Sequence, residues 1–315
     1  MVGYDANQSA PKSVYAVSGA ASGFITRTLT QPLDVIKIRF QLQVEPITRG
    51  ATSSKYRNVA QAFQTIVREE GILALWKGTV SGQALSVVYG LVEFGTFEAL
   101  QRKLGSLQLT DNPRSPMSYF LCGSVAGMTA TLAAHPLDVI RTRFVGQGKR
   151  KVYSSIVQSI YLIQRREGFR GFYRGLLPAL LQTAPTSGFI FALYLHFQTM
   201  YRNLSGTSTT QAHSSPVESL VSGFVAGAAA KTLVHPLDVA KKRLQVQGFQ
   251  EGRQLFGRFV YVDGFLHAMK EIYRHEGAGG FFKGYTPSML KAAATTGYTF
   301  FFYERILRYL SNPLS

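Results

Sequence analysis

One string, Pro-x-Asp-x-x-basic-x-basic, occurs three times in this chain, at Pro32 to Arg39, Pro136 to Arg143 and Pro236 to Arg243. Successive copies lie 104 and 100 residues apart. Each copy is followed by an acidic-Gly pair and then, after four residues, by an aromatic-basic-Gly triplet. These are Glu70-Gly71 with Trp76-Lys77-Gly78, Glu167-Gly168 with Tyr173-Arg174-Gly175, and Glu276-Gly277 with Phe282-Lys283-Gly284. Thirteen residues before each proline stands a Gly-x-x-x-Gly, at Gly19/Gly23, Gly123/Gly127 and Gly223/Gly227. Three motifs held in register over three units mean that one structural unit is used three times. Any fold for this chain must therefore be close to threefold.

Within each unit, two weakly apolar helical stretches flank a basic loop. The long stretches are expected at about 14–40, 79–103, 116–143, 177–201, 216–243 and 285–309. Short amphipathic helices are expected near 58–69, 156–166 and 263–275, and the Ser/Thr-rich segment 206–216 reads as a linker. A stretch of ~20 residues or more is long enough to cross a bilayer core. Charged residues make up 16% of the chain, below the ~25% usual in soluble domains. The mean hydropathy is only +0.04, which suits helices with one face towards lipid and another towards water or neighbours. The expected architecture is an all-α membrane protein with six transmembrane helices in three pseudo-symmetric two-helix repeats. The repeats cover about 14–105, 116–204 and 216–311 of one carrier domain, 1–315.

A net charge of +17 would also suit a nucleic-acid binder, so its distribution decides. The stretches 37–78, 141–175 and 241–284 hold 24 of the 34 basic residues but 8 of the 17 acidic ones, leaving the remainder nearly neutral. A basic excess confined to loops on one side of apolar helices is the positive-inside pattern. Nucleic acid is not an expected partner. Cys122 is the only cysteine, which excludes an intrachain disulfide and a four-cysteine zinc site. No nucleophile–base pair, metal-ligand spacing or dinucleotide loop marks an enzyme, and neither a cofactor nor a metal is expected. The opening MVGYDANQSAPKS has no signal-peptide or transit-peptide pattern, so targeting information is expected inside the chain.

The three motifs resemble the signature of the mitochondrial carrier family over essentially the whole chain. The resemblance implies residence in the inner mitochondrial membrane, termini towards the intermembrane space, basic loops and short helices on the matrix side, and function as a monomer. Within the family, VIKIRFQLQ at 35–43, KTLVHPLDVAKKRLQVQGF at 231–249 and FFKGYTPSMLKAAATTGYTFFFYE at 281–304 are most similar to members that carry thiamine pyrophosphate. That cargo is therefore implied, moved by alternating access and antiport. Coenzyme A or a nucleotide is the alternative anion, and a non-transporting scaffold the alternative class.

Proline inside a helix removes a hydrogen bond and crowds the preceding turn, so Pro32, Pro136 and Pro236 are expected to kink their helices. In the family the acids and bases beyond the prolines pair between helices. Carried over, Asp34 meets Arg141, Asp138 meets Lys241, and Asp238 meets Lys37, closing a matrix gate; the same pairs could simply hold the bundle together. Gln41 and Gln245 can brace the ring, whereas the second unit has Val145. The opposite gate of the family maps to Phe97-Glu98, Tyr194 and Tyr303-Glu304, but no base follows at the usual spacing. Arg102 and Arg308 come one residue late, and a weak lock is expected there.

Charges inside the spans and outside the gates point to a substrate. Arg27 and Lys231 each lie five residues before a motif proline, and Lys291 lies in the last span. Three cations at similar depth call for an anion; snorkelling to the interface suits residues near helix ends and suits these poorly, since all sit well inside their spans. Glu93 either pairs with one of these cations or faces a cationic ring. Leu85, Tyr89 and Glu93 fall at i, i+4 and i+8 on one helical stripe, and Tyr89 could stack on a ring or merely pack. The resemblance adds Leu85, Gln182 and Thr183 as contact positions. It also gives Gly78, Gly175 and Gly284 a role in holding cardiolipin at helix N-termini. His135 and His235, before two of the prolines, are expected to satisfy carbonyls freed by the kinks.

Overall fold

The computed structural model describes residues 11–47, 54–106, 116–149, 151–183, 216–253 and 260–311. The first unit comprises α1 (Lys12–Leu42), the short α2 (Val59–Glu70) and α3 (Thr79–Ser106). The second has α4 (Pro116–Gly146), α5 (Ile156–Glu167) and the helical residues 176–183, here α6. The third has α7 (Pro216–Gln245), α8 (Phe265–Glu276) and α9 (Tyr285–Ser311). Among the described residues there is no strand. The remainder of the expected span 177–201, Tyr194 and most of the expected linker lie outside the described residues.

The motif residues punctuate each unit. Asn58 and Ser155 cap α2 and α5 by accepting from Gln61 N and Gln158 N, leaving fewer orphan donors in the first turn. Each short helix then stops at the glycine of the acidic-Gly pair, where φ is +84° at Gly71, +67° at Gly168 and +66° at Gly277. A left-handed residue after the last turn is the usual helix stop, and glycine adopts it without a Cβ penalty. Short 3₁₀ helices over Ile72–Trp76, Phe169–Tyr173 and Ala278–Phe282 lead into the next long helix. Sequence patterning did not anticipate them.

The long helices α1, α4 and α7 run unbroken through Pro32, Pro136 and Pro236. Between units, α3 packs chiefly on α4 and α9 chiefly on α1, which brings the third unit back against the first. Burial concentrates at the end carrying the basic stretches. Val35, Ile36, Ile38, Ile66 and Leu75 form its core in the first unit, with Val145 and Val246 inserted from the other two. Fully burying one such side chain contributes roughly 1.5–3 kcal/mol. The opposite half turns large apolar side chains outward, among them Phe24, Val87, Leu91, Phe94, Leu121 and Phe301. By length and composition alone, one helix among the described residues, Ser118–Gly146, is apolar enough to cross a membrane. The charges of that helix, Asp138, Arg141 and Arg143, gather at one end, whereas Arg27, Lys231 and Lys291 lie further inside α1, α7 and α9.

Candidate functional site

Beyond the prolines, three ion pairs join α1, α4 and α7 in a cycle. Lys37 Nζ lies 2.6 Å from Asp238 Oδ2, Lys241 Nζ lies 2.7 Å from Asp138 Oδ2, and Arg141 binds Asp34. The sequence separations run from about 100 to 200 residues, yet every acid meets the base expected of it. All three carboxylates are buried. Gln41 Nε2 donates to Asp238 at 3.1 Å and Gln245 Nε2 to Asp138 at 2.8 Å. The corner without a glutamine differs: Val145 is buried in the apolar core, and Arg141 instead reaches Gln31 Oε1 at 3.3 Å.

Each corner also holds a second cation, which the sequence reading placed elsewhere or missed. Lys291 Nζ is 2.5 Å from Asp34 Oδ1, and Lys231 Nζ is 3.9 Å from Asp238 Oδ2. These two lysines were expected as substrate contacts clear of the gate; the structure shares them with it. At the third corner Lys242 Nζ lies 2.8 Å from Asp138 Oδ1 and also donates to Thr142 and Gln245. Its signal was present in the doubled Lys241-Lys242, where the other motifs have Ile38 and Thr142.

A second ring lies just beyond the first. The last base of each motif grips the acid of its own acidic-Gly pair. Arg39 binds Glu70 through two bonds of 2.6 and 2.8 Å, and Arg143–Glu167 and Arg243–Glu276 repeat the arrangement. The base of each aromatic-basic-Gly triplet joins the same carboxylate: Lys77 at 2.6 Å, Arg174 at 3.0 Å, and Lys283. Burial would raise the Glu70 carboxyl, but Arg39 and Lys77 outweigh it and hold it below the usual carboxylate range. Each motif arginine then donates to a carbonyl at the buried C-terminal end of another unit's long helix. Arg39 Nε bonds Val145 O at 3.3 Å, while Arg143 Nε bonds Gln245 O and Arg243 Nε bonds Gln41 O, both at 3.0 Å. Cations are favoured at helix C-termini, where carbonyls lack partners. The sequence assigned these bases only to the charge excess and to lipid.

The residue before each proline makes a third threefold contact. Gln31, His135 and His235 bond the carbonyls of Lys77, Arg174 and Lys283 at 2.9, 3.0 and 3.1 Å. The expectation that the histidines satisfy carbonyls freed by the kinks is thus corrected: they tie the aromatic-basic-Gly turn to the long helix. An amide and an imidazole N–H can both serve, which explains glutamine in the first unit. The following glycines, Gly78, Gly175 and Gly284, have φ of +78°, +78° and +75°. A Cβ on Gly284 would stand 2.8 Å from Lys37 O, and one on Gly175 would stand 2.9 Å from Lys241 O.

Above the first ring, Leu85, Tyr89, Gln182 and Thr183 line a cavity of about 340 Å³ with Thr131, and Asp138 and Lys241 also line it. Thr131 and Thr183 are bonded across it at 3.0 Å. Glu93 and Arg27 have no ion-pair partner among the described residues. The alternative in which Glu93 neutralises Arg27, Lys231 or Lys291 is therefore not the arrangement found. At the far end Glu98 pairs with Arg102 at 2.6 Å and Glu304 with Arg308 at 3.8 Å, each within its own helix. The two bases read as one residue late thus serve their own acids at i,i+4. Phe97 stacks on Tyr119 of α4 with ring centroids 6.0 Å apart, and Tyr303 is half-buried.

A family model described as mitochondrial carrier protein matches this chain three times, over residues 9–107, 112–205 and 212–314. The mitochondrial thiamine pyrophosphate carrier of Homo sapiens is 42% identical over 307 residues, covering 96% of this chain and 95% of that protein. The mitochondrial thiamine pyrophosphate carrier 1 of Phaeosphaeria nodorum is 37% identical, covering 92% and 91%. The mitochondrial thiamine diphosphate carrier 1 of Zea mays is 36% identical, covering 96% of both.

Proposed function

The chain belongs to the mitochondrial carrier family, and from that premise we propose that it moves thiamine pyrophosphate across the inner mitochondrial membrane by alternating access. Six spans in one carrier domain, with the basic loops towards the matrix and the termini opposite, fit the outward apolar side chains and the confined charge. The reading makes the chain a transporter and not an enzyme, acting as a monomer and by exchange.

The observation that carries the reading is the closed first ring with shared cations above it. Buried ion pairs gain Coulomb energy and lose hydration, so their net worth is small, while separating one partner leaves a costly charge. A diphosphate arriving from the open side meets Arg27, Lys231 and Lys291. To bind it, Lys291 and Lys231 turn from Asp34 and Asp238, which loosens two corners of the floor. Cargo shifts such an equilibrium only by its differential affinity for the two states. Charge-assisted phosphate bonds gained as the floor parts supply that difference.

Lipid binding fits the same geometry. A cavity of about 590 Å³ between the first and third units is lined by Arg57, Asn58, Gly284 and Tyr285, at the N-termini of α2 and α9. Another of about 420 Å³ is lined by Arg174, Gly175 and Gly264, at the starts of α6 and α8. Helix N-termini favour phosphate, and cardiolipin headgroups are the proposed occupants.

Uptake of labelled thiamine pyrophosphate into cardiolipin-containing liposomes bearing the purified protein tests the function. Saturable uptake is expected, and Lys231→Ala or Lys291→Ala is expected to reduce it at least tenfold while the protein stays folded. Uptake of a nucleotide or coenzyme A instead would overturn the cargo, and uptake of no anion would overturn transport altogether.

A further inference from the structure

The three corners of the first ring are electrically unlike. Lys291 of α9 and Lys231 of α7 stand at the Asp34 and Asp238 corners, and Arg27 of α1 lies within electrostatic reach of Arg141. Among the described residues, the cavity beside Asp138 has only Lys241, the pair partner of that acid, as a lining cation. Lys291 has one carboxylate neighbour and Lys231 a longer contact, which leaves both ammonium groups with donors for an entering anion. The corner formed by Asp138 is different. Its surplus cation, Lys242, is buried and spends its three donors on Asp138, Thr142 and Gln245. Nothing of that ammonium is left to face the cavity. The wall above this corner carries Tyr89 and, one turn further along α3, Glu93.

Tyr89 and Glu93 converge on one patch of α4. A methyl group added to Gly127 would lie 3.5 Å from the Tyr89 hydroxyl and 3.9 Å from Glu93 Oε1. It would also lie 3.0 Å from Thr183 Cγ2, so the glycine lets α3 and α6 lie close against α4 where both groups sit. Below them the cavity is lined by Leu85, Thr131, Gln182 and Thr183. An ionised acid at this depth is expensive unless it meets a partner, and among the described residues it has none. A phosphate is the wrong occupant beside a carboxylate. A flat cationic ring is the right one, since it can lie against an aromatic side chain and offer its charge to the acid.

We propose that the cavity orients a bipolar cargo, with its diphosphate on Arg27, Lys231 and Lys291 and its cationic heteroaromatic ring on Tyr89 and Glu93. The inference rests on the thiamine pyrophosphate reading and adds to it an orientation and a specificity-determining acid. It explains how three cations can serve a cargo without admitting every diphosphate equally. An anion with a neutral ring loses the attraction of Glu93 and keeps its repulsion for the phosphates.

Equilibrium binding to the purified full chain tests this with three probes. They are thiamine pyrophosphate, an isostere whose thiazolium nitrogen is replaced by carbon so that the ring is neutral, and inorganic diphosphate. The wild type is expected to prefer the charged ring about tenfold, the equivalent of about 1.4 kcal/mol. In Glu93→Gln that preference is expected to fall to within about twofold, with protection by inorganic diphosphate serving as the check on folding. A tenfold preference retained in Glu93→Gln overturns the orientation and leaves transport standing. So does a wild type that binds both ring forms equally, a result that decides the matter even if the variant does not fold. A wild type that neither binds nor carries thiamine pyrophosphate removes the function and the orientation together.

Discussion

The two ends of the helical bundle contain similar kinds of residue and use them in opposite ways. Where the basic stretches lie, every motif acid is buried and bonded to a base from another helix or another unit. At the far end, Glu98 and Glu304 stand exposed beside bases on their own helices. A pair within one helix stabilises that helix by a few tenths of a kcal/mol and holds nothing else in place. Pairs between helices hold the assembly. The same chemistry therefore ties helices to one another at one end and stays within single helices at the other.

The contrast can be broken most forcefully in the second ring. Glu167→Gln would leave the fully buried Arg143 side chain without its carboxylate. Stability is expected to fall by about 3–5 kcal/mol, seen as a large drop in the thermal unfolding midpoint of the detergent-purified protein. An unchanged midpoint would mean that the ring contributes nothing to the assembly. Gly284→Ala comes next, since it forces a left-handed alanine whose Cβ sits 2.8 Å from Lys37 O. A loss of about 1–3 kcal/mol is expected in the same assay, together with slower transport as the Lys37 corner is displaced.

Acid sharpens the comparison. Because Arg39 and Lys77 depress the folded-state pKa of Glu70 despite burial, its stabilisation is complete above the unfolded value of about 4.3. It disappears as pH falls from there through the lower folded value. Wild type should therefore lose its stability advantage over Glu70→Gln across that acid window, and parallel pH curves would contradict the role. The smallest effect belongs to the far end. Glu98→Gln or Glu304→Gln is expected to change stability by less than about 0.5 kcal/mol. A loss comparable to that of Glu167→Gln would show that the exposed acids do hold helices together.

Among the described residues, local periodicity placed the helices well. The expected stretches 14–40 and 216–243 became Lys12–Leu42 and Pro216–Gln245, and 156–166 became Ile156–Glu167. Repetition and resemblance together placed the first ring, because Asp34, Asp138 and Asp238 occupy equivalent positions and their partners follow from the cycle. Other contacts were not legible. Nothing near Glu70 in the chain says that it will receive Arg39 from 31 residues away, since that contact depends on how a short helix folds back. Lys291 looked uncommitted for a similar reason: its carboxylate neighbour is 257 residues distant. Sequence spacing gave its depth but not its azimuth. Glu93 was ambiguous until the geometry showed Lys231 and Lys291 beside other carboxylates and, among the described residues, no cation paired with Glu93.

The arginine-to-carbonyl contacts have a consequence for how the polypeptide may be ordered. At the seam between first and second units, Arg39 reaches Val145 O and Asp34 meets Arg141. At the seam between third and first, Arg243 reaches Gln41 O and Lys37 meets Asp238, although no peptide linker joins those units directly. Adhesion there is supplied by side chains alone and is of the same kind as where the backbone runs across. Covalent order is thus largely redundant for closing the circle, and a circularly permuted gene starting at the third unit would encode the same set of neighbours.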